Sequence, residues 1–583
     1  MEKKFRPELT VILILIAVTL ATYLQAITFE LVHAEDYVIY NELGTRLKAY
    51  GFPLMGIFRM PSNAVYLVPI PNFVAFLDIW LFGDRIGMLH LMNVIAHVMN
   101  SVLVFMILRL ASGCLWQSAF VAALFALHPV NTENVVSWCR GPTLIETFFF
   151  LLTVLSYIYY ARKPSKLRYG LIVLFMVLAL LSKPSIVFLF FTLLLFDFWP
   201  MNRRRFGRDE SVAPRFAPAE PVKLITEKMP LLIVPVVWVG IFALVVRMGP
   251  DLPVNIPRPD NQWHLLNLPV SYVLYLWKMV CPSSLPLHFP DSPLARSYVM
   301  PAWQIGGAAV LLALITAAVI HQRKRHPFLL TGWLWFVICL GPYALISVSQ
   351  QRPLVPRYSY LPMIGLSIIA AWGGATVLGR MGVRRLTVGA AAVIVLVVLA
   401  VTSWTQAGRW ADKISYFKHA VDVFPGCEQR RSNLGEVLYE KGRIDEAITQ
   451  LEMALKINPD FFVAHNHLGL ALMQRGDRQG ARDHFEKAIR ANPDYPEAHN
   501  NLANLMADMG DTDGAVAHYN QALRIDPSLF RAHNNLATVL LQKGLYDQAI
   551  FHWETALSLN PGYHTARENL IRARQIKEAG PRR

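Results

Sequence analysis

Two carboxylates stand side by side at Glu35 and Asp36, in the segment "EDYVIYN", just beyond an apolar stretch from Leu9 to Phe29. A carboxylate presented where a chain leaves a membrane can serve as a general base toward a hydroxyl. Cations recur near the ends of other apolar runs: Arg140 after "HPVNTENVVSWC", Lys183 after the run 168–182, Lys278 in the piece 266–282, and Arg357 in "QQRPLVPRYSYLP". Fixed cations lower a barrier when negative charge grows during a reaction. Taken singly, each is equally what a residue snorkelling from a span end would look like. A charge at the bilayer centre costs about 2.5–3.5 kcal/mol on insertion scales, so ionisable groups kept close to spans tend to be functional. His90, Asn93 and His97 in "HLMNVIAH" share one helical stripe. They serve either as polar packing between spans or, for His90, as cavity lining. His128, Glu133 and Tyr358 are further candidates for that lining.

The elements that must hold these groups are membrane helices. The chain has 583 residues, 54% of them hydrophobic, and charge is sparse before about residue 405 and dense after it. The first apolar run is too long for a signal peptide and lacks a small-x-small cleavage site, so it reads as a retained span. Further runs lie near 87–110, 113–128, 142–161, 168–182, 185–199, 229–247, 302–321, 327–348, 361–379 and 385–404, with 266–282 ambiguous. If 266–282 lies at the outer surface there are eleven spans. Then "EKKFR", "ARKPSKLR", "MNRRRFGR", "HQRKRH" and "GRMGVRR" all face the cytoplasm, as the bias of Lys and Arg requires. The same bias accounts for a net charge of +15 without any nucleic-acid partner. The acidic pair, Arg140, Lys183 and Arg357 then share the opposite, extracytoplasmic face of a multi-pass protein of the inner (plasma) membrane. The five cysteines form no CxxC or other metal spacing and no disulfide framework.

From about residue 428 the sequence repeats every 34 residues, with Gly442, Gly476, Gly510 and Gly544 in register and Pro459, Pro493, Pro527 and Pro561 closing the units. Ala447, Ala481, Ala515 and Ala549 recur likewise, as do Ala454, Ala488, Ala522 and Ala556. This is the tetratricopeptide pattern of paired antiparallel helices, on the side that carries the outer face. Pro425 is also in register, so 410–424 reads as the second helix of a degenerate first unit, and 564–578 as a cap. Asn433, His467, Asn501 and Asn535 occupy one position of successive first helices. They either grip the backbone of an extended acceptor peptide or hold helices together.

These motifs resemble the transmembrane and tetratricopeptide-repeat O-mannosyltransferases and their bacterial relatives. The similar blocks are "EDYVIYN", "MLHLMNVIAHVMNSVLVF", "ALFALHPVNTENVV", "LALLSKPSIV", "LLLFDFWP", "YLWKMVCPSSL", "GWLWFVICLGP" and "RYSYLPMIGL", in that order and followed by the repeats. The resemblance implies a GT-C-like membrane domain, a polyprenyl-phosphate sugar donor, a luminal or periplasmic active site and an acidic base in the first external loop. On that basis Asp36 is the expected base, with Glu35 orienting the acceptor or a cation, and Lys183, Arg357, Lys278 and Arg140 are expected to bind the donor phosphate. The sequence departs from the family pattern in four places: Glu-Asp replaces Asp-Asp, Arg140-Gly141 is followed by no aspartate, Lys183-Pro184 replaces Lys-Glu, and Pro356 replaces the Asp before Arg-Tyr. No metal ligands are assigned, and a divalent cation is left open.

The expected architecture is therefore all-α. Residues 1–405 form the catalytic membrane domain, 406–427 a linker and half repeat, 428–563 four repeats and 564–583 a capping helix and tail. The expected activity is transfer of a sugar to a hydroxyl of an extracytoplasmic protein held by the repeats. Two rivals remain: a non-catalytic scaffold that uses the repeats for envelope assembly, and a transferase acting on lipid A or a glycan.

Overall fold

The computed structural model describes residues 7–32, 34–50, 69–183, 188–203, 216, 219–248, 262–282, 285, 300–349 and 354–579. The expected outer segment 248–301 falls largely outside them, as do 184–187 and 350–353. The described chain is helical with no strand, and it divides into two compact units, Met1–Tyr416 and Phe417–Arg583.

In lipid a helix satisfies every backbone polar group within itself, and the apolar runs are helices. In chain order they are Pro7–Tyr23, Ile86–Ser112, Leu115–Leu127, Gly141–Arg162, Lys166–Ser182, Leu189–Phe198, Met229–Met248, Ala302–Gln322, Pro327–Ser349, Met363–Arg380 and Arg385–Gly408. Seven of the described helices are long and apolar enough to cross a membrane. Leu115–Leu127 and Leu189–Phe198 are shorter, and the ambiguous piece is helical over Leu268–Val280.

Besides the short helices Thr132–Val136 and Pro221–Thr226, two longer ones lie outside the expected runs. The stretch after the first span, expected to be a loop, forms Ala34–Tyr50, and Pro69–Phe82 follows. Leu43 of the first packs with Phe76 and Ile79 of the second, together with Leu31, Leu89 and Trp138. Tertiary burial of a few apolar side chains has organised a segment whose mixed composition gives no span signal.

Side-chain contacts define the two ends of the bundle. At one end Arg109 pairs with Glu8 at 2.9 Å, Arg162 donates to the Leu110 carbonyl, and Arg380 meets His326. This end carries the described basic loops, 161–168, 321–326 and 379–385. It also buries a four-charge network in which Arg203 and Lys228 each pair with Asp197 and Glu227 at 2.5–3.2 Å. Two cations balance two anions there, so the network is structural, and breaking one partner would leave a buried charge uncompensated. At the other end Gln25 donates to Trp404, Ser403 to Leu127, and His97 bridges Tyr360 and Ala126. Pro327–Ser349 and Met363–Arg380 cross at Gly332 and Gly365, where a Cβ on either would collide with the other's carbonyl oxygen.

In the second unit each repeat is a helix pair, beginning with Glu428–Glu440 and Ile444–Ile457 and ending with Phe530–Gln542 and Tyr546–Leu559. The recurring alanines at the crossings are 0% exposed. The recurring glycines turn the chain between the helices with φ of 76–93°, a conformation open to glycine at little cost. Lys413–Val423 precedes the first pair and His564–Ala579 covers the last.

Candidate functional site

The end of the bundle away from the basic loops gathers most of the singled-out residues. Asp36 sits in the first turn of Ala34–Tyr50 and is 1% exposed, buried rather than at a solvated loop start. Its carboxylate accepts the Cys139 backbone N–H at 2.5 Å and the Ser137 hydroxyl at 3.3 Å. Both donors belong to the tight turn between Thr132–Val136 and Gly141–Arg162, and the same turn carries Arg140. The side chain of Glu35 lies outside the described residues.

Glu133 is the pivot for the cations. One carboxylate oxygen pairs with Arg357 at 3.1 Å and with Arg140 at 3.6 Å. Its other oxygen, Oε2, is buried and has no hydrogen-bond partner among the described residues. Asn134 fixes the Arg357 backbone by donating to its carbonyl at 3.0 Å. The Arg357 guanidinium lies 5.0 Å from the Tyr358 ring, and Tyr358 stacks on Tyr343 with centroids 5.0 Å apart. Lys183 completes the group: its ammonium stands 4.8 Å from the Tyr343 ring and 5.6 Å from Tyr358, and donates to Thr143 at 3.2 Å. Such cation–ring contacts strengthen as the cation loses water. Burial would raise the Tyr358 hydroxyl, but Arg357, Lys183 and Arg140 outweigh it and hold the group below its usual value. Three cations and the Glu133 carboxylate thus gather around Tyr358, with Asp36 tied to the turn that holds Arg140.

The other expected residues have different surroundings. His128 is spent on the fold: its Nε2 meets the Met279 carbonyl at 3.0 Å and its Nδ1 accepts the Val130 N–H at 3.2 Å. Both ring nitrogens are then in use, so it staples the turn to Leu268–Val280 instead of lining a cavity. Lys278 is half-buried in the last turn of that helix, next to Met279. His90 is buried edge-on against Phe29, within electrostatic reach of Asp36, while Asn93 donates to Ser137.

Sequence reasoning missed Glu146 and Tyr343. Glu146 is 1% exposed and accepts the Tyr343 hydroxyl at 2.8 Å, directly beneath the Lys183 platform. A lone carboxylate near the start of an otherwise apolar run was the available signal. Among the described residues no three His, Cys, Asp or Glu side chains gather closely enough to hold a metal ion.

In the repeats, the ladder residues are half-buried and largely engaged with their neighbours. Asn501 donates to Asn466 at 2.9 Å, and Asn535 donates to Asn500 at 3.2 Å and Asn504 at 2.9 Å. Asn433 accepts from Gln429 at 2.8 Å. The His467 ring is held down to about 4 by burial. An amide has two N–H donors, so Asn535 has both committed between repeats, which favours the packing role for that residue.

Fold and site together describe a multi-pass, all-helical membrane unit with an end rich in both cations and carboxylates, joined to tetratricopeptide repeats. Family models for the tetratricopeptide repeat match residues 435–476, 467–530 and 530–563. Among curated proteins, the chain is 23% identical over 73% of its length to the human Protein O-mannosyl-transferase TMTC1, covering 52% of that protein. It is 21% identical over 75% of its length to the Caenorhabditis elegans Protein O-mannosyl-transferase F38B6.6, covering 61% of it. The chain thus spans about half to three-fifths of the length of these relatives. Among solved structures, the Thermus thermophilus tetratricopeptide protein TTC0263 is 20% identical, with 31% of this chain and 94% of that chain covered and a TM-score of 0.26. The chain is thus similar to the TMTC O-mannosyl-transferases in combining apolar helices with tetratricopeptide repeats.

Proposed function

We propose that this protein is a membrane glycosyltransferase that moves a sugar from a polyprenyl-phosphate donor to a hydroxyl of a protein outside the cytoplasm. The observation that carries this reading is the gathering of Asp36, Arg140, Lys183 and Arg357 at the bundle end away from the basic loops. With eleven spans and the basic loops in the cytoplasm, that end and the repeats face the periplasm or lumen. The lipid tail keeps the reacting phosphate at headgroup depth, the depth expected for charged groups at the ends of spans.

In this reaction the acceptor hydroxyl loses its proton to Asp36 as its oxygen bonds the anomeric carbon. The bond from that carbon to the phosphate oxygen breaks, and the lipid phosphate leaves with the electron pair. Lys183, Arg357 and Arg140 offset the charge on the departing phosphate. Glu133 and Glu146 act through them, the first by setting the two guanidiniums and the second by anchoring Tyr343 under Lys183. The membrane unit, residues 1–405, does the chemistry, and the repeats over 428–563 hold the acceptor chain, raising its local concentration. Mannose is the first sugar to test, because the curated relatives are named O-mannosyl-transferases.

Mass spectrometry of envelope proteins and lipids from a deletion strain tests the reading. Loss of a hexose or pentose from specific proteins supports it. Loss from lipid A or a glycan alone would move the acceptor class, and unchanged glycans would favour a scaffold.

A further inference from the structure

Three histidine pairs recur at the 34-residue period and have no part in the site above. In each, a histidine of the first helix meets one of the second, Nδ1 to Nδ1: His465 with His484 at 2.9 Å, His499 with His518 at 3.1 Å, and His533 with His552 at 2.8 Å. The first histidine of each pair also points Nε2 at a backbone carbonyl, Pro459, Pro493 or Pro527, at 2.8–3.2 Å. A carbonyl only accepts, so that Nε2 carries the hydrogen, and the Nδ1 of the same neutral ring is a bare acceptor. The second histidine must therefore donate its Nδ1–H. Ring centroids 5.1–5.3 Å apart at these nitrogen separations mean the rings meet end to end. Their Nδ1 atoms point at each other, which suits a proton between them and not a shared metal ion.

We propose that these pairs make the repeat array acid-sensitive: protons taken up first at the second histidine's Nε2 and then at the accepting Nδ1 put charge, and finally two opposed N–H groups, into a buried contact and part the two helices of the repeat. The inner histidines are 6–8% exposed, so no water replaces the lost partner cheaply. Burial is the main cause holding all six rings below the ordinary histidine value, with His484 and His552 at about 4. Around the first pair lie Asp460, Asp477, Asp483, Lys487 and Arg490. Around the second lie Arg482, Glu486, Asp511 and Arg524. In the third, His533 and its Pro527 contact act with His552, which also meets the Phe551 ring.

A base whose folded pKa is depressed favours the neutral form in the fold. Its stability is complete above the free histidine value, near 6.5, and is lost as pH falls toward the folded value. At about pH 5 a ring moved from near 6.5 to about 4 changes the opening equilibrium by roughly thirtyfold. Neighbouring repeats support one another, so pairs lost together sharpen the response.

Hydrogen exchange of the full chain in detergent, at about pH 7.5 and about pH 5 and corrected for intrinsic rates, tests this. The third and fourth repeats, 496–559, read the pairs without the separate titration of His467. In the wild type the amides of the fourth repeat, which holds His552, should open roughly thirtyfold more often at the lower pH, and those of the third should shift in the same direction. In His518→Asn with His552→Asn, a side-chain amide supplies the N–H without titrating, and most of that difference should vanish. Equal opening of the wild type at both pH values overturns the proposal, as does a double variant that responds like wild type. If the double variant is already unprotected at neutral pH, His552→Asn alone, read in the fourth repeat, decides between the same outcomes.

Discussion

Replacing Asp36 by Asn changes charge with almost no change in shape, so it separates base chemistry from folding. In the structure the carboxylate receives one backbone and one hydroxyl hydrogen, from Cys139 and Ser137. An Asn Oδ1 still accepts the Cys139 N–H, while the Ser137 hydroxyl can turn to accept from the amide. What is lost is charge assistance, the difference between about 1.5–3 kcal/mol for a bond to a charged group and about 0.5–1.5 for a neutral one. Over the two bonds stability should therefore fall by roughly 2 kcal/mol, whereas removal of a general base should cost on the order of 10²–10⁴ in turnover. Asp36→Ala differs, because it strands the Cys139 N–H in a buried turn and should cost about 1–3 kcal/mol. Thermal unfolding in detergent and single-turnover transfer from a polyprenyl-phosphate sugar to a peptide read the two effects apart. An Asp36→Asn protein of near-normal stability that turns over within about threefold of wild type would refute the assignment and make Glu133, with its unpartnered oxygen, the base to test.

Lys183→Ala and Arg357→Ala should raise the donor's KM more than they lower kcat, and unchanged donor affinity in both would remove them from the phosphate site. Asn501→Ala with Asn535→Ala breaks three inter-repeat bonds at roughly 0.5–1.5 kcal/mol each. It should lower the melting temperature of the repeats as well as weaken long acceptors, and a loss confined to long acceptors with stability intact would show that the amides face the peptide. A reporter fused after Arg583 should be active only outside the cytoplasm, and a signal from inside would invert the topology and with it the face of the site.

The 34-residue period was fully legible, because each repeat writes its glycine turn and its alanine crossings locally. The apolar runs were legible for the same reason, since a span must satisfy its own backbone. The helix Ala34–Tyr50 was not, because it is ordered by Phe76, Ile79 and Trp138 from distant segments. Of the site, Asp36, Arg140, Lys183 and Arg357 stood out as charges beside spans, but their partners did not. Glu133 as pivot, and Tyr343 with Glu146 under Lys183, exist only once four helix ends meet. The two hydrogen bonds of His128 were not legible either, because a histidine in a turn looks the same in sequence whether or not it caps that turn.

Purified full-length protein in lipid vesicles, supplied with mannosyl-phosphoryl polyprenol and a serine- and threonine-containing protein acceptor, puts the central claim to its most direct test. Transfer of hexose to acceptor hydroxyls by the wild type, abolished in Asp36→Asn, is the predicted result. A well-folded wild type that transfers no sugar from any polyprenyl-phosphate donor to any protein acceptor would contradict it.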